Sequence, residues 1–298
     1  MKRFIEVPHA MHFATGEISR RELLRAGAGL GVALSGLGIV SGCAATETYK
    51  DKIAPAAGSN TTGKRHPPNE GCLVGFYKPD VPSRSIDHYE RSLAAKPSLF
   101  ALWALLSEGF PMIEATTITG KGVVPYVNIY PGLDIQKGRK IIFGPDEIVK
   151  GGCDAYIKRV AKDAVRFGEK HGSFFFATMV EFNAEWWPWS RTPYTASAMR
   201  HFWQIFEDQG ANQYATWVWE AFCPARYEKR VEDPESYYPG DKYVDWIGMN
   251  VFANLKNPRV HENTMFRDLL TPTYEQMVKN HPQKYMMVSE FGRTPGEN

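Results

Sequence analysis

Beyond residue 70 the chain alternates between short apolar runs and stretches in which apolar residues recur every three or four positions. Short runs bounded by Gly, Pro or polar clusters predict strands, and the helical period predicts helices. The strands fall at 71–77, 98–104, 122–129, 173–180, 214–219, 244–251 and 284–289. Helical patterns occupy 85–95, 108–116, 146–170, 195–208 and 264–279. The longest draws its stripe from Ile157, Val160, Ala161, Ala164, Val165 and Phe167, and the next is closed by Gly210. Strands alternating with helices predict an α/β fold, a (β/α)8 TIM-type barrel. A doubly wound open sheet shares this pattern, but no glycine-rich phosphate fingerprint follows the first strand. The seventh strand runs close to Asn298, so the barrel is expected to be truncated after strand seven, with an open and aggregation-prone edge.

The first seventy residues read differently. Ser19-Arg20-Arg21-Glu22-Leu23-Leu24 resembles a twin-arginine export motif, and a glycine-rich apolar segment follows to about Ile39. It is short for a spanning helix and reads as the core of a signal peptide. Val40-Ser41-Gly42-Cys43 resembles a bacterial lipobox, which implies lipidation of Cys43. A signal peptide with an incidental cysteine, or an anchor helix, is the plainer alternative. Residues 44–70, rich in Ala, Thr, Gly, Ser, Asn and Pro, read as a flexible linker of roughly 30 Å reach. The expected organisation is a signal peptide at 1–43, a linker at 44–70 and a barrel domain at 71–298. The expected location is outside the cytoplasmic membrane, periplasmic or at the cell surface, held by lipid.

A net charge of +2 favours neither nucleic acid nor an acidic polymer as partner. Aromatic residues make up 13% of the chain, with 8 Trp, and Trp186-Trp187-Pro188-Trp189 clusters three of them where complete burial is difficult. Such rings suit the apolar faces of sugars. Cys72, Cys153 and Cys223 match no zinc spacing and default to buried apolar side chains, and the histidines form no metal-ligand pattern. No metal, nucleotide or flavin is implied.

The chemistry concentrates at two strand ends. Glu181 follows the apolar run 174–180, and Glu290 follows 285–288. A carboxylate at the tip of a buried strand is costly unless paired or hydrogen-bonded. Two of them, far apart in sequence, predict one site assembled from different barrel strands, and paired carboxyl groups are what glycoside hydrolysis requires. Asn183, two residues on, would share the face of Glu181 if the strand continued. It could then bond a sugar hydroxyl or brace a carboxylate. Trp187 and Trp189 suit loop packing as well as a sugar subsite. Asn128 ends the third strand and either lines the cleft or serves a turn. Glu185 and Glu220 read as solvated or ion-paired.

Glu181, Asn183, Trp186, Pro188 and Trp189, in the order Glu-x-Asn-x-x-Trp-x-Pro-Trp, resemble the acid/base motif of glycoside hydrolase family 26, the β-mannanase family. Residues 238–248 are similar to its approach to strand six, and Ser289-Glu290-Phe291-Gly292 to its nucleophile motif. The resemblance runs from about Gly71 onward. It implies a retaining two-glutamate mechanism, with Glu181 as acid/base and Glu290 as nucleophile about 5–5.5 Å apart. It also implies Trp186 as a sugar platform, and a polysaccharide such as β-mannan or a related β-glycan as the substrate of a monomeric enzyme. The chain departs from the pattern at Val180, where the family has His, at Ala184, and at Phe252, which stands in place of a tyrosine that bonds the nucleophile. These departures favour a second reading, a catalytically weakened carbohydrate-binding envelope lipoprotein.

Overall fold

The structure, a computed structural model, describes residues 63–69, 71–77, 82–93, 95–136, 139–224, 231–253 and 266–293. The twin-arginine segment and Cys43 lie outside the described residues. Seven strands form one sheet: β1 (Gly75–Tyr77), β2 (Leu99–Leu105), β3 (Val124–Tyr130), β4 (Phe174–Thr178), β5 (Ala215–Phe222), β6 (Trp246–Ala253) and β7 (Tyr285–Arg293). Each pairs in parallel with the next in chain order. Helices α1 (Pro82–Leu93), α2 (Met112–Gly120), α3 (Pro145–Val149), α4 (Asp154–His171), α5 (Thr195–Asp208) and α6 (Phe266–Asn280) connect them. This is the curled sheet of a (β/α)8-type barrel; among the described residues no strand joins β7 to β1.

The strands are almost wholly apolar because both faces are covered. On β3, Val127 and Ile129 pack outward with Ile118, Val160 and Phe206 of the helices. Val124 and Tyr126 point inward, among Leu99, Phe175, Val218 and Trp246. That alternation decides which residues can reach the barrel mouth. The sequence pattern placed one helix over 146–170, whereas the structure breaks it into α3 and α4. Gly151, at φ +81°, reverses the chain between them, a conformation that glycine adopts without steric cost. A two-stranded hairpin, Gly132–Gln136 with Arg139–Ile142, follows β3 and was not foreseen.

The domain also begins earlier than composition indicated. Residues 63–66, assigned to the flexible linker, cross the N-terminal ends of β4 to β7. Gly63 N donates to Gln213 O (3.0 Å), and Arg65 N to Thr216 Oγ1 (2.8 Å). The Arg65 guanidinium donates through Nε (3.1 Å) and Nη2 (2.7 Å) to Ser173 O, and Trp246 Nε1 donates to Arg65 O (2.8 Å). His66 Nδ1 lies 3.2 Å from Tyr285 Oη. Sequence periodicity misses such a strap because its contacts satisfy carbonyls rather than bury an apolar stripe. Arg65 is buried, and burial lowers its pKa. Arg65→Ala will therefore lower stability by about 1.5–3 kcal/mol, the range for a hydrogen bond from a charged donor, as read by urea unfolding. No helix of the described residues is long and apolar enough to cross a membrane. Among the described residues Cys72, Cys153 and Cys223 form no disulfide; Cys72 is exposed rather than buried, and burial pushes the Cys153 and Cys223 thiols up to about 12.

Candidate active site

Glu181 owes its position to an abrupt turn at the end of β4. Met179 and Glu181 have φ of +50° and +53°, left-handed values that cost a non-glycine residue about 1–2 kcal/mol each. The surrounding loop offsets that cost. Trp189 Nε1 donates to Val180 O (2.8 Å), Ser190 Oγ to Glu181 O (3.2 Å), and Arg191 N to Phe182 O (2.9 Å). Glu181 N donates to Glu220 O (2.9 Å), so the turn starts from a fixed point beside β5. The Glu181 side chain is buried and receives three N–H donors. Trp186 Nε1 (2.7 Å) and Trp187 Nε1 (3.0 Å) bond Oε2, and Asn250 Nδ2 approaches Oε1 at 3.4 Å. Burial raises its pKa, and the three donors pull the other way.

The same turn overturns the expectation for Asn183. Residues 181–183 are not strand, so Asn183 leaves the face of Glu181. Its Nδ2 donates to Phe222 O (3.0 Å) and Glu232 O (3.3 Å), and its Oδ1 accepts from Phe222 N (2.9 Å). A fully buried amide with both ends on backbone ties the loop to the end of β5 and has nothing left for a sugar. Trp189 is likewise corrected to packing. It is 1% exposed, stacked on Trp187 at 4.7 Å and set against Tyr130 at 5.3 Å. Trp186 and Trp187 remain half-exposed, and Trp187 continues through Tyr130 (5.2 Å) and Trp103 (4.8 Å) as an aromatic wall.

Glu290 enters from β7 by a register shift. Met249 pairs with Val288, but Asn250 pairs with Glu290, so Ser289 is the extra residue of a β-bulge. Alternation alone would send Ser289 and Glu290 to opposite faces. The bulge turns both inward: Ser289 Oγ donates to Asn250 Oδ1 (2.6 Å), and the Glu290 charge acts on Glu220, Glu181, Tyr77 and Tyr130. Among the described residues no donor reaches its carboxylate. Burial, then the charges of Glu220 and Glu181, raise its pKa well above the ordinary carboxylate range.

Glu220 is the residue the sequence reading missed. It is neither solvated nor ion-paired but 1% exposed. With Trp217 and Trp219 packed outward and Val218 inward, Glu220 must face the interior, a parity legible in Thr-Trp-Val-Trp-Glu. The Tyr126 hydroxyl donates to its Oε1, and Oε2 is buried without a hydrogen-bond partner among the described residues. Burial first, with Glu181 adding, raises its pKa to about 7, against the opposing influence of Tyr126, Asn250 and Ser289.

Asn128 is 1% exposed, level with Trp103 on β2 and Ala177 on β4, and neither amide atom has a hydrogen-bond partner among the described residues. It lies in the barrel interior, not in a turn. Phe252 is half-buried opposite Gly292 and brings no hydroxyl to Glu290. Three strands thus bring three carboxyl groups, Glu181, Glu220 and Glu290, to the C-terminal mouth of one barrel, beside an aromatic wall. The groups can supply a nucleophile, a proton donor and a second buried acid to a bond held between them.

The model described as glycosyl hydrolase family 26 matches residues 141–292. Endoglucanase H of Acetivibrio thermocellus is 32% identical over 116 residues, a segment covering 35% of this chain and 12% of that protein. The chain therefore matches only a small part of that relative. Among solved structures, the family 26 domain of an endo-β-mannanase/endo-β-glucanase from Prevotella bryantii is 12% identical, with a TM-score of 0.59 over 75% of this chain and 77% of its own. The catalytic domain of an endo-β-1,4-mannanase from Bacillus sp. JAMB-750 is 16% identical, with a TM-score of 0.56 over 84% and 72%. At these identities the likeness is one of fold.

Proposed function

Because the chain belongs to glycoside hydrolase family 26, we propose that it hydrolyses a β-linked polysaccharide, β-mannan or a related β-glycan, with retention of configuration. One observation supports the reading: Glu181 follows β4 and Glu290 stands on β7 at the same end of one sheet, where the Glu181 charge adds to burial in raising the Glu290 pKa. In this mechanism a Glu290 oxygen attacks the anomeric carbon as the glycosidic C–O bond breaks, and Glu181 gives its proton to the departing oxygen. Ester formation removes the charge of Glu290. Glu181, with three N–H donors on its carboxylate, is then the more easily ionised group. It accepts a proton from water as that water attacks the anomeric carbon and the ester bond breaks. Trp186 and Trp187 fix the Glu181 carboxylate and offer their half-exposed rings to the sugar. Asn128, without a partner among the described residues, offers its amide to a sugar hydroxyl that enters that far. Export through the twin-arginine-type signal, with a monomer anchored by lipid on Cys43, belongs to the same proposal and is tested by loss of membrane association in Cys43→Ala.

The test is a panel of β-mannan, glucomannan, mixed-linkage β-glucan and xylan. New reducing ends are expected on at least one, with the first-formed product in the β configuration by proton NMR. A first-formed α product would overturn the two-step mechanism. Saturable binding to a β-glycan without cleavage would establish the carbohydrate-binding reading instead, which Phe252 in place of a tyrosine favours.

A further inference from the structure

We infer that Glu220 is a positioning residue of this site, a third carboxyl that shares one proton with Glu290 and holds it while Glu290 is free to attack. The inference rests on the nucleophile assignment above. Glu220 and Glu290 stand on β5 and β7 with β6 between them, and the β6 residue level with Glu220 is Gly248. A Cβ there would lie 2.8 Å from Glu220 Cγ and 2.7 Å from Ser289 Oγ. The missing side chain is what lets Glu220 lean across β6 toward β7. One of its oxygens is taken by Tyr126, while Oε2 is buried, without a hydrogen-bond partner among the described residues, and open to carry a proton.

The surroundings leave that proton few other places. Facing the pair are Tyr77 from β1, Tyr126 and Tyr130 from β3, and Glu181 after β4; β6 contributes the neutral Gly248 and Asn250. Among the described residues the ionisable groups facing the pair are thus carboxyl or phenol, and all three tyrosines are pushed above their ordinary pKa by burial and by these carboxylates. Like charges on a buried Glu220 and a half-buried Glu290 are costly side by side, so such a pair gives up its protons in two separated steps. With the remaining proton on Glu220 Oε2, Glu290 is anionic and nucleophilic. With it on Glu290, the site is idle. Glu220 forms no bond to carbon at any stage.

The experiment is a carboxyl NMR titration of the full chain labelled with [δ-13C]glutamate, with Glu290 assigned by its loss in Glu290→Gln. Glu220→Gln keeps an oxygen for Tyr126 and deletes the charge. It should lower the Glu290 ionisation midpoint by at least about one pH unit, a tenfold change in ionisation constant. Tyr126→Phe removes the donor that favours a charged Glu220, so it should move Glu290 in the same direction by a smaller amount. The acid limb of kcat/KM should follow these shifts on any glycan the chain cleaves. A Glu290 midpoint unchanged in Glu220→Gln overturns the inference; should that variant not fold, an unchanged midpoint in Tyr126→Phe does so. A chain that cleaves nothing would defeat the hydrolase reading, yet the titration would still decide whether the proton is shared.

Discussion

Glu290→Ala will abolish turnover of β-glycans, and sodium azide will restore bond cleavage on an activated aryl glycoside with an α-glycosyl azide as product. The stereochemistry follows from geometry. Removing the β7 carboxyl opens the face of the sugar from which it attacks, so azide makes one displacement and inverts the carbon. Glu181→Ala removes the other partner. It should cut kcat/KM on natural glycan by about 10²- to 10⁴-fold, the usual contribution of a general acid, or roughly 3–5 kcal/mol of barrier. Azide should rescue that variant too, but by attacking the glycosyl–Glu290 ester, so that two inversions yield the β-azide. Product configuration read by NMR thus assigns each glutamate separately. Azide products of the same configuration from both variants would sink the two assignments.

The second large effect is on stability against pH. Glu220 has its pKa raised to about 7 in the folded chain, and Glu290 is raised as well, both chiefly by burial. Between the unfolded carboxylate pKa, near 4.3, and about 7, the folded state holds protons that the unfolded chain has released. Stability must then fall as pH rises through that window. For Glu220 alone the loss is on the order of 3 kcal/mol. The exposed carboxylates held below their ordinary values, Glu232 by Tyr237 and Arg191 and Asp241 by Tyr238, act in the opposite sense, and only at lower pH. Urea unfolding across the window should show a negative slope in wild type and a much flatter one in Glu220→Gln. Parallel slopes in the two proteins would mean that Glu220 does not titrate there.

The repeat of apolar runs and helical stripes made the barrel legible, because strands covered on both faces cannot hide their composition. Strands β2 to β7 lie close to where the runs place them, and helix 195–208 coincides with α5. The strand ends were less legible. Period-two reasoning put Asn183 beside Glu181, but the left-handed turn at Met179 and Glu181 breaks the period there, and no residue type announces it. The bulge at Ser289 is equally silent, since it depends on pairing with β6. Glu220 is a different kind of miss. Its parity within an apolar strand was readable, and a general expectation that glutamates are solvated overrode it. Trp189 shows the reverse case, in which sequence left packing and subsite open: it is drawn inward by its indole bond to Val180 O.

The strap formed by residues 63–66 bears on the order in which the chain can fold. Its contacts span sequence separations of 108 residues to Ser173, 151 to Thr216, 181 to Trp246 and 219 to Tyr285. None can form until the corresponding strand has been made, and closing loops of that length is entropically slow. Locking of the barrel floor is therefore a late event, with residues 63–66 waiting for β7. Substitutions such as Arg65→Ala should accordingly speed unfolding more than they slow the initial assembly of the sheet.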